Sequence, residues 1–438
     1  MKIALAVGTL SLLVGCSSSG SNSGDGSGSG GSAADGGASA NGGATSTGGS
    51  DGNSGATSSG GSTSGGGANG GSSATGGNAG NSGSGGGTST GAWSAGNPDG
   101  SCSAGVPAEG KAADTSNPTK VGNGTAASCT FSLLSAAVAK GGIVTFDCGS
   151  DPVTIPVTAT LDVPTSKDTV IDGNRLVTLD GQSKVQILSF DSPGWQTNEH
   201  RLTLQHIALI NAKKTPTDAI PTAPAPCSQG FDDGQGGAVY MRDGNLTVID
   251  SIFTGNQAAQ LGPDTGGGAI YVQGSLHGVV IAGSTFEQNT AANGGGVGGL
   301  FCEYHIYDSL FTHNTATGHG ANNNDASMCS VMNNGQNEVG SGGNGGAFYS
   351  DGNSVNVLLC GDQIVDNDAG MGGFGGGVFF TSNNMAGTLT ITDTTMTGNT
   401  GGHWTNASTG SIHDIGTAVG TNCKSITVEN STIQGYTQ

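Results

Sequence analysis

Positive charge is what this chain has least of. In 438 residues, 12 Lys and Arg stand against 32 Asp and Glu, a formal net charge of −20. Between Lys214 and Lys424 the only Arg or Lys is Arg242. A surface so poor in cations argues against nucleic acid as a partner, because phosphate binding needs many positive contacts. It also argues against a densely anionic polymer unless metal ions bridge the charges. No CxxC pair, HExxH or phosphate loop occurs, which leaves thiol redox, zinc-protease and nucleotide chemistry without a motif. The apolar stretch at residues 3–14 is too short to span a bilayer as a stable helix.

What the chain has in excess is glycine, 85 residues of it, and much of it is ordered by a repeat. A glycine pair runs into an apolar strand at Gly236-Gly237-Ala238-Val239-Tyr240, Gly267-Gly268-Ala269-Ile270-Tyr271, Gly295-Gly296-Val297, Gly345-Gly346-Ala347-Phe348-Tyr349 and Gly376-Gly377-Val378-Phe379-Phe380. About fifteen residues later comes an aromatic or aliphatic residue, two variable positions and an asparagine: Phe253 to Asn256, Phe286 to Asn289, Phe311 to Asn314, Ile364 to Asn367 and Met396 to Asn399. The second glycines are spaced by 31, 28, 50 and 31 residues and the asparagines by 33, 25, 53 and 32, so an insertion sits in the third interval. One such unit cannot bury its apolar face until the next stacks on it, and the expectation is a solenoid of about ten coils.

Between the landmarks, the runs LTVIDSIF, VVIAGSTF, HIYDSLF and LTITDTTM align on one another. Each carries a polar corner, and Asp250, Gly283, Asp308, Gly361 and Asp393 are residue types that bend backbone readily. Stacked at about 4.8 Å, the asparagines would hydrogen-bond up and down the axis. Upstream, residues 131–140 have helical apolar spacing and stop at Gly141-Gly142. Strand-like runs follow at 143–146, 153–157, 169–171, 177–179, 185–190 and 202–210. The helix is placed as a cap over the exposed edge of the first coil.

The GGA[IV] and FxxN repeats resemble those of the chlamydial polymorphic outer membrane proteins. The body is similar to the wider pectin-lyase-like group, and its opening, CTFSLLSAAVAKGGIVTFDCG then TVIDGNRLVTLDG, looks like the start of exported bacterial members. The resemblance covers roughly residues 120–436 and implies an all-β, right-handed parallel β-helix. It does not fix a function, because lyases, hydrolases, adhesins and structural proteins share that scaffold.

Residues 1–15 resemble a lipoprotein signal peptide: Lys2 carries the charge and Leu13-Val14-Gly15-Cys16 matches a lipobox, which implies lipidation at Cys16 and a membrane anchor. Ser17 after the cysteine looks like the pattern that permits export to the outer membrane. From Ser17 to about Asn97 the chain is almost wholly Gly, Ser, Ala, Thr and Asn, the composition of a disordered tether with a reach of about 50 Å. Residues 16–97 are therefore assigned to the anchor and linker and 98–438 to the folded domain, expected to act as a monomer. Eight cysteines besides Cys16 favour disulfides, with Cys129 to Cys148 the one pairing selected, since they bracket the helix and first strand.

Alternation after each glycine pair puts Val239, Met241, Ile270 and Val272 inward. Tyr240, Tyr271, Gly299, Tyr349 and Phe380 then form one outward column, with Arg242, Gln273, Phe301, Asp351 and Ser382 beside it. Its pitch is close to the length of one sugar residue, and tyrosine faces suit sugar rings. Tyr240, Tyr271, Gln273, Tyr349 and Asp351 are the candidate ligand-binding residues. His319 joins them from the insertion at about 315–344, which would overhang the column, held by Cys329 and in one pairing Cys302. Trp195 and Trp404, in loops, are secondary sugar contacts. Two functions compete. The leading one is contact with extracellular or cell-wall polysaccharide, or with a neighbouring cell. The other is a polysaccharide lyase acting on a uronic-acid polymer, with Arg242 as base and His305, Lys213 or Lys214 behind it. No organic cofactor is implied; calcium is conceivable through Asp232-Asp233 or Asp366 and Asp368, without a complete calcium-loop signature.

Overall fold

The computed structural model describes residues 93–217, 233–262, 264–318, 332–333, 336–337, 342–370, 373–401 and 412–436. They belong to one unit of the chain; residues 1–92, with Cys16, lie outside the described residues, as do Cys227, His319, Cys329, Trp404 and most of the insertion.

Strands of equivalent repeats lie parallel and in register. In the larger sheet Leu204 pairs with Val248, then Ile281, Ile306, Leu359, Ile391 and Val428, one per rung. A second column in that sheet runs Leu209, Phe253, Phe286, Phe311, Ile364, Met396 and Ile433. Its phenylalanines stack face to face at centroid distances of 4.9 and 4.7 Å, the spacing of neighbouring strands. The smaller sheet runs from Leu161–Asp162 through Leu188–Asp191, Val239–Arg242, Ile270–Gln273, Val297–Leu300, Phe348–Gly352 and Val378–Ser382 to Val419–Asn422. Ile412–Ile415 closes it as an antiparallel strand. One continuous apolar core draws on both sheets.

The repeat residues have distinct physical reasons. The first glycine of each pair, Gly236, Gly267, Gly294, Gly345 and Gly375, sits at φ of +57 to +67°, a region open to glycine. The second faces the next rung so closely that a Cβ on Gly268 would lie 2.0 Å from the Gly295 carbonyl oxygen. The equivalent second glycines are 237, 268, 295, 346 and 376, because Gly296 and Gly377 occupy the place of Ala238. All five corner residues have positive φ, from +43 to +71°, and His206 and Asn430 continue the column at either end. Asn256, Asn289, Asn314, Asn367 and Asn399 form a buried pile, each amide donating to the next Oδ1 at 2.9 to 3.0 Å. Beside the corners runs a second internal ladder in which Ser251, Ser284, Ser309, Asp362, Thr394 and Ser431 accept in turn from the backbone N–H of the rung before, the first from Ile207.

The helix spans Phe131–Val138, with the Thr130 hydroxyl accepting from Leu133 N–H and both glycines beyond it at positive φ. Leu134, Ala137 and Val138 join the core. The two short runs expected at 169–171 and 177–179 are one strand, Thr169–Asp180, bent at Asn174 and Arg175. Cys129 pairs with Cys148, and Cys102 pairs with Cys360 across 258 residues. Cys302 and Cys423 are buried free thiols, so the Cys302 to Cys329 bridge is not made. The folded body also begins earlier than its composition suggests. Trp93 Nε1 donates to Asp250, Gly96 N–H to Thr285, and Asn97 to the carbonyls of Asp308 and Gly361, each at 2.8 to 2.9 Å. This strap therefore crosses the corners of four successive rungs before Cys102 bonds to Cys360.

Candidate functional site

The tyrosine column is built as Tyr240, Tyr271, Gly298, Tyr349 and Phe379. Gly299 and Phe380 belong instead to the inward column with Met241 and Val272, and Leu300 and Thr381 stand where Phe301 and Ser382 were expected. Each slip of one follows from a run of three glycines, where counting from the last pair shifts the alternation. The column does lie outside the main core, yet it is not a free surface: Tyr271 is 0% and Tyr349 3% exposed. The segment that leads into the Gly267-Gly268 pair folds over it at Asp264. Tyr271 Oη donates to the Asp264 carbonyl at 2.7 Å, Tyr349 Oη lies 3.5 Å from Asp264 Oδ1, and Tyr349 stacks on Phe379 beside Phe374. Left bare, those stacked rings would form a contiguous apolar patch in water. Burial, with the neighbouring Asp351 charge, pushes the Asp264 carboxyl up to about 7; Asp351 is itself raised, chiefly by burial. Gln273 is also buried and donates to Tyr240 Oη at 2.9 Å, while Asp351 accepts from Asn383.

The candidate bases are not assembled. Arg242 Nε lies 2.7 Å from Asp191 Oδ1 and donates to the Ser192 carbonyl, so its guanidinium is committed to holding a loop. His305 sits on the larger sheet, 3.4 Å from Glu303. Lys214 faces Asp233 at 3.8 Å. Asp366 has φ of +55°, which breaks the strand alternation that was to align it with Asp368. Among the described residues, the one cluster of three ligand-type side chains is Cys102, Cys360 and Asp393, and its two sulfurs are bonded to each other.

A different surface has the features of a binding site. After strand Leu188–Asp191, residues 192–198 leave the stack as a loop whose anchor is Asp243, 1% exposed. Its carboxylate accepts from Thr197 N–H at 2.6 Å, Asn198 N–H at 3.1 Å and Ser192 Oγ at 2.9 Å. Burial acts to raise this carboxyl, but those donors together hold it below the ordinary range. The loop carries Trp195 down over Gly274, where a Cβ would lie 2.7 Å from the ring, and onto Phe301, edge to face at 5.5 Å. Gln196 fixes the descent through bonds from its N–H to Gly274 O and its amide to Phe301 O. Trp195 remains 45% exposed. The same loop, at Ser192, Pro193, Gly194, Thr197 and Asn198, lines a shallow cavity of about 520 Å³ with Thr165, Ser166, Glu199, His200 and Asp243. Imidazole and carboxylate groups pair along the adjoining edge: His200 with Asp168 at 3.2 Å, His277 with Glu199 at 2.5 Å, and His305 with Glu303. The interaction with His305, against some burial, keeps Glu303 below the usual range.

The arrangement of an exposed indole, a polar trough and paired charges can stack and hydrogen-bond a sugar chain. Sequence marks Trp195 only as a tryptophan in a Ser-Pro-Gly turn; its descent across later rungs rests on contacts with Gly274 and Phe301, 79 and 106 positions away. No protein-family model matches the chain, and neither a curated protein nor a solved structure matches it.

Proposed function

We propose that this is a lipid-anchored cell-surface protein, a right-handed parallel β-helix capped by Phe131–Val138, that binds polysaccharide through the Trp195 surface. The observation that carries the reading is the exposed indole, held in place by Gln196 and by Asp243 beneath the loop. An indole held half-exposed by bonds made elsewhere in its loop offers a preorganised face for stacking. The polar trough lined by the same loop supplies hydroxyl, amide and carboxylate partners for sugar hydroxyls. Rungs about 4.8 Å apart give the surface a pitch near that of a sugar chain lying along the stack. The site is thereby moved from the tyrosine column, which the Asp264 segment covers, to its neighbour at the loop after Asp191.

Trp195→Ala tests the assignment. Retention on a panel of insoluble plant, fungal and bacterial wall polysaccharides should fall at least about tenfold for whichever polymer the parent holds. Thermal unfolding should change little, because the ring lies outside the core. Equal retention by parent and variant on every polymer would remove Trp195 from the site.

A further inference from the structure

We infer that the corner where the strap is fastened is a second site of this chain: when the Cys102–Cys360 bridge is reduced, the two thiolates and the Asp393 carboxylate bind a thiophilic divalent cation of the zinc class. Cys102 is seated within the column of corner residues. Its N–H donates to Asp308 Oδ1 at 2.8 Å. The next corner is Gly361, where a Cβ would lie 3.2 Å from Cys102 Sγ, so the absent side chain makes room for the sulfur. The corner after that is Asp393, whose Oδ2 stands 4.0 Å from the same sulfur. One ligand atom from each of Cys102, Cys360 and Asp393 lies within 4.8 Å of the other two. Among the described residues, no N–H group donates to the Asp393 carboxylate, which is left facing the sulfurs.

A tetrahedral zinc ion with sulfur at about 2.3 Å and oxygen at about 2.1 Å holds its ligand atoms about 3.6 to 3.8 Å apart. Asp393 already stands near that distance from Cys102, and once the S–S bond is broken the sulfurs can part toward it by side-chain rotation. A dithiol reductant supplies two electrons and two protons: the S–S bond breaks, two thiols form, and the reductant leaves as its own disulfide. The cation then displaces both thiol protons, and water takes the fourth position on the exposed side of Asp393. Thiolate ligands select zinc over calcium or magnesium. The strap is thereby fastened to its rung in either redox state, by a covalent bond in one and through a metal in the other. The Cys129–Cys148 bridge makes the contrast, since among the described residues it has no third ligand in reach.

The full-length chain, reduced on an immobilised dithiol resin so that no soluble chelator remains, is dialysed against zinc at neutral pH and its bound metal counted. The reduced parent should hold one more zinc ion than the Cys102→Ala, Cys360→Ala double variant, and so should a Cys129→Ala, Cys148→Ala double variant, which loses as many thiols. The oxidised parent should hold no more than the Cys102 and Cys360 variant does. Asp393→Asn keeps every thiol, and should weaken the additional site at least about tenfold, no less than loss of an outer-shell partner does. Cobalt in place of zinc should give the reduced parent a sulfur-to-metal charge-transfer band that the Cys102 and Cys360 variant lacks. Equal zinc in the reduced parent and that variant overturns the inference. So does an Asp393→Asn chain that binds zinc as tightly as the parent.

Discussion

Removing the Cys102–Cys360 bridge by changing both cysteines to alanine is expected to be the most damaging alteration far from the Trp195 surface. A linear stack is stabilised by nearest-neighbour contacts. The strap departs from that rule, touching Asp250, Thr285, Asp308 and Gly361, which lie on four consecutive rungs. The bridge closes 258 residues, for which the chain-entropy relation gives about 5.5 kcal/mol at 25 °C. The same relation gives about 3 kcal/mol for Cys129 and Cys148, at a sequence separation of 19, a built-in comparison. Urea unfolding followed by tryptophan fluorescence should show the larger loss for the Cys102 and Cys360 pair. Its transition should also broaden, because rungs tied together by the strap can then open separately. Hydrogen exchange should speed up first at Gly96, Asn97 and Cys102, whose N–H groups bond across to the rungs, while Asn289 and Asn314 stay protected. A loss no greater than that from alanine at Cys129 and Cys148, with an equally sharp transition, would refute the reasoning.

Two further outcomes follow from the ladders. Asn314→Ala removes an acceptor used by Asn289 N–H and amide, and a donor to Phe286 O and Asn367 Oδ1, all buried; about 3 kcal/mol should go, and a calorimetric loss under about 1 would contradict the pile as a stabilising element. Asp362→Ser should stabilise. Burial pushes that carboxyl well above its ordinary value, and its Oδ2 has no hydrogen-bond partner. The folded state therefore holds a proton that the unfolded chain releases near pH 4, so the penalty is absent below that pH and grows as pH rises. The gain from serine should be clear at pH 8 and vanish near pH 4, and a pH-independent gain would show that the carboxyl is not the cause.

How much of this was legible in the sequence depended on whether a residue's task repeats. Gly267, Asp250 and Asn289 each do in one rung what their equivalents do in the next, so recurrence exposes the backbone geometry and the ladder before any coordinates are known. Where a repeat contains three glycines, at 294–296 and 375–377, the same glycine richness that marks the rung hides its register, and Phe380 is taken for Phe379. Tasks performed once leave no such trace. Asp264 covers Tyr271 and Tyr349, Trp93 reaches Asp250 from a stretch with the composition of a linker, and Cys102 selects Cys360 from a set with many pairings. The proposed binding surface falls in this second class. A stack made of equivalent rungs presents the same face everywhere, so a localised site has to come from a departure from the repeat. The loop of residues 192–198 is that departure: it leaves its own rung, bonds to Asp243 of the next and sets Trp195 against Gly274 and Phe301 of the two beyond. An aromatic column repeated on every rung would instead be an extended apolar stripe, which this chain hides under its own loops.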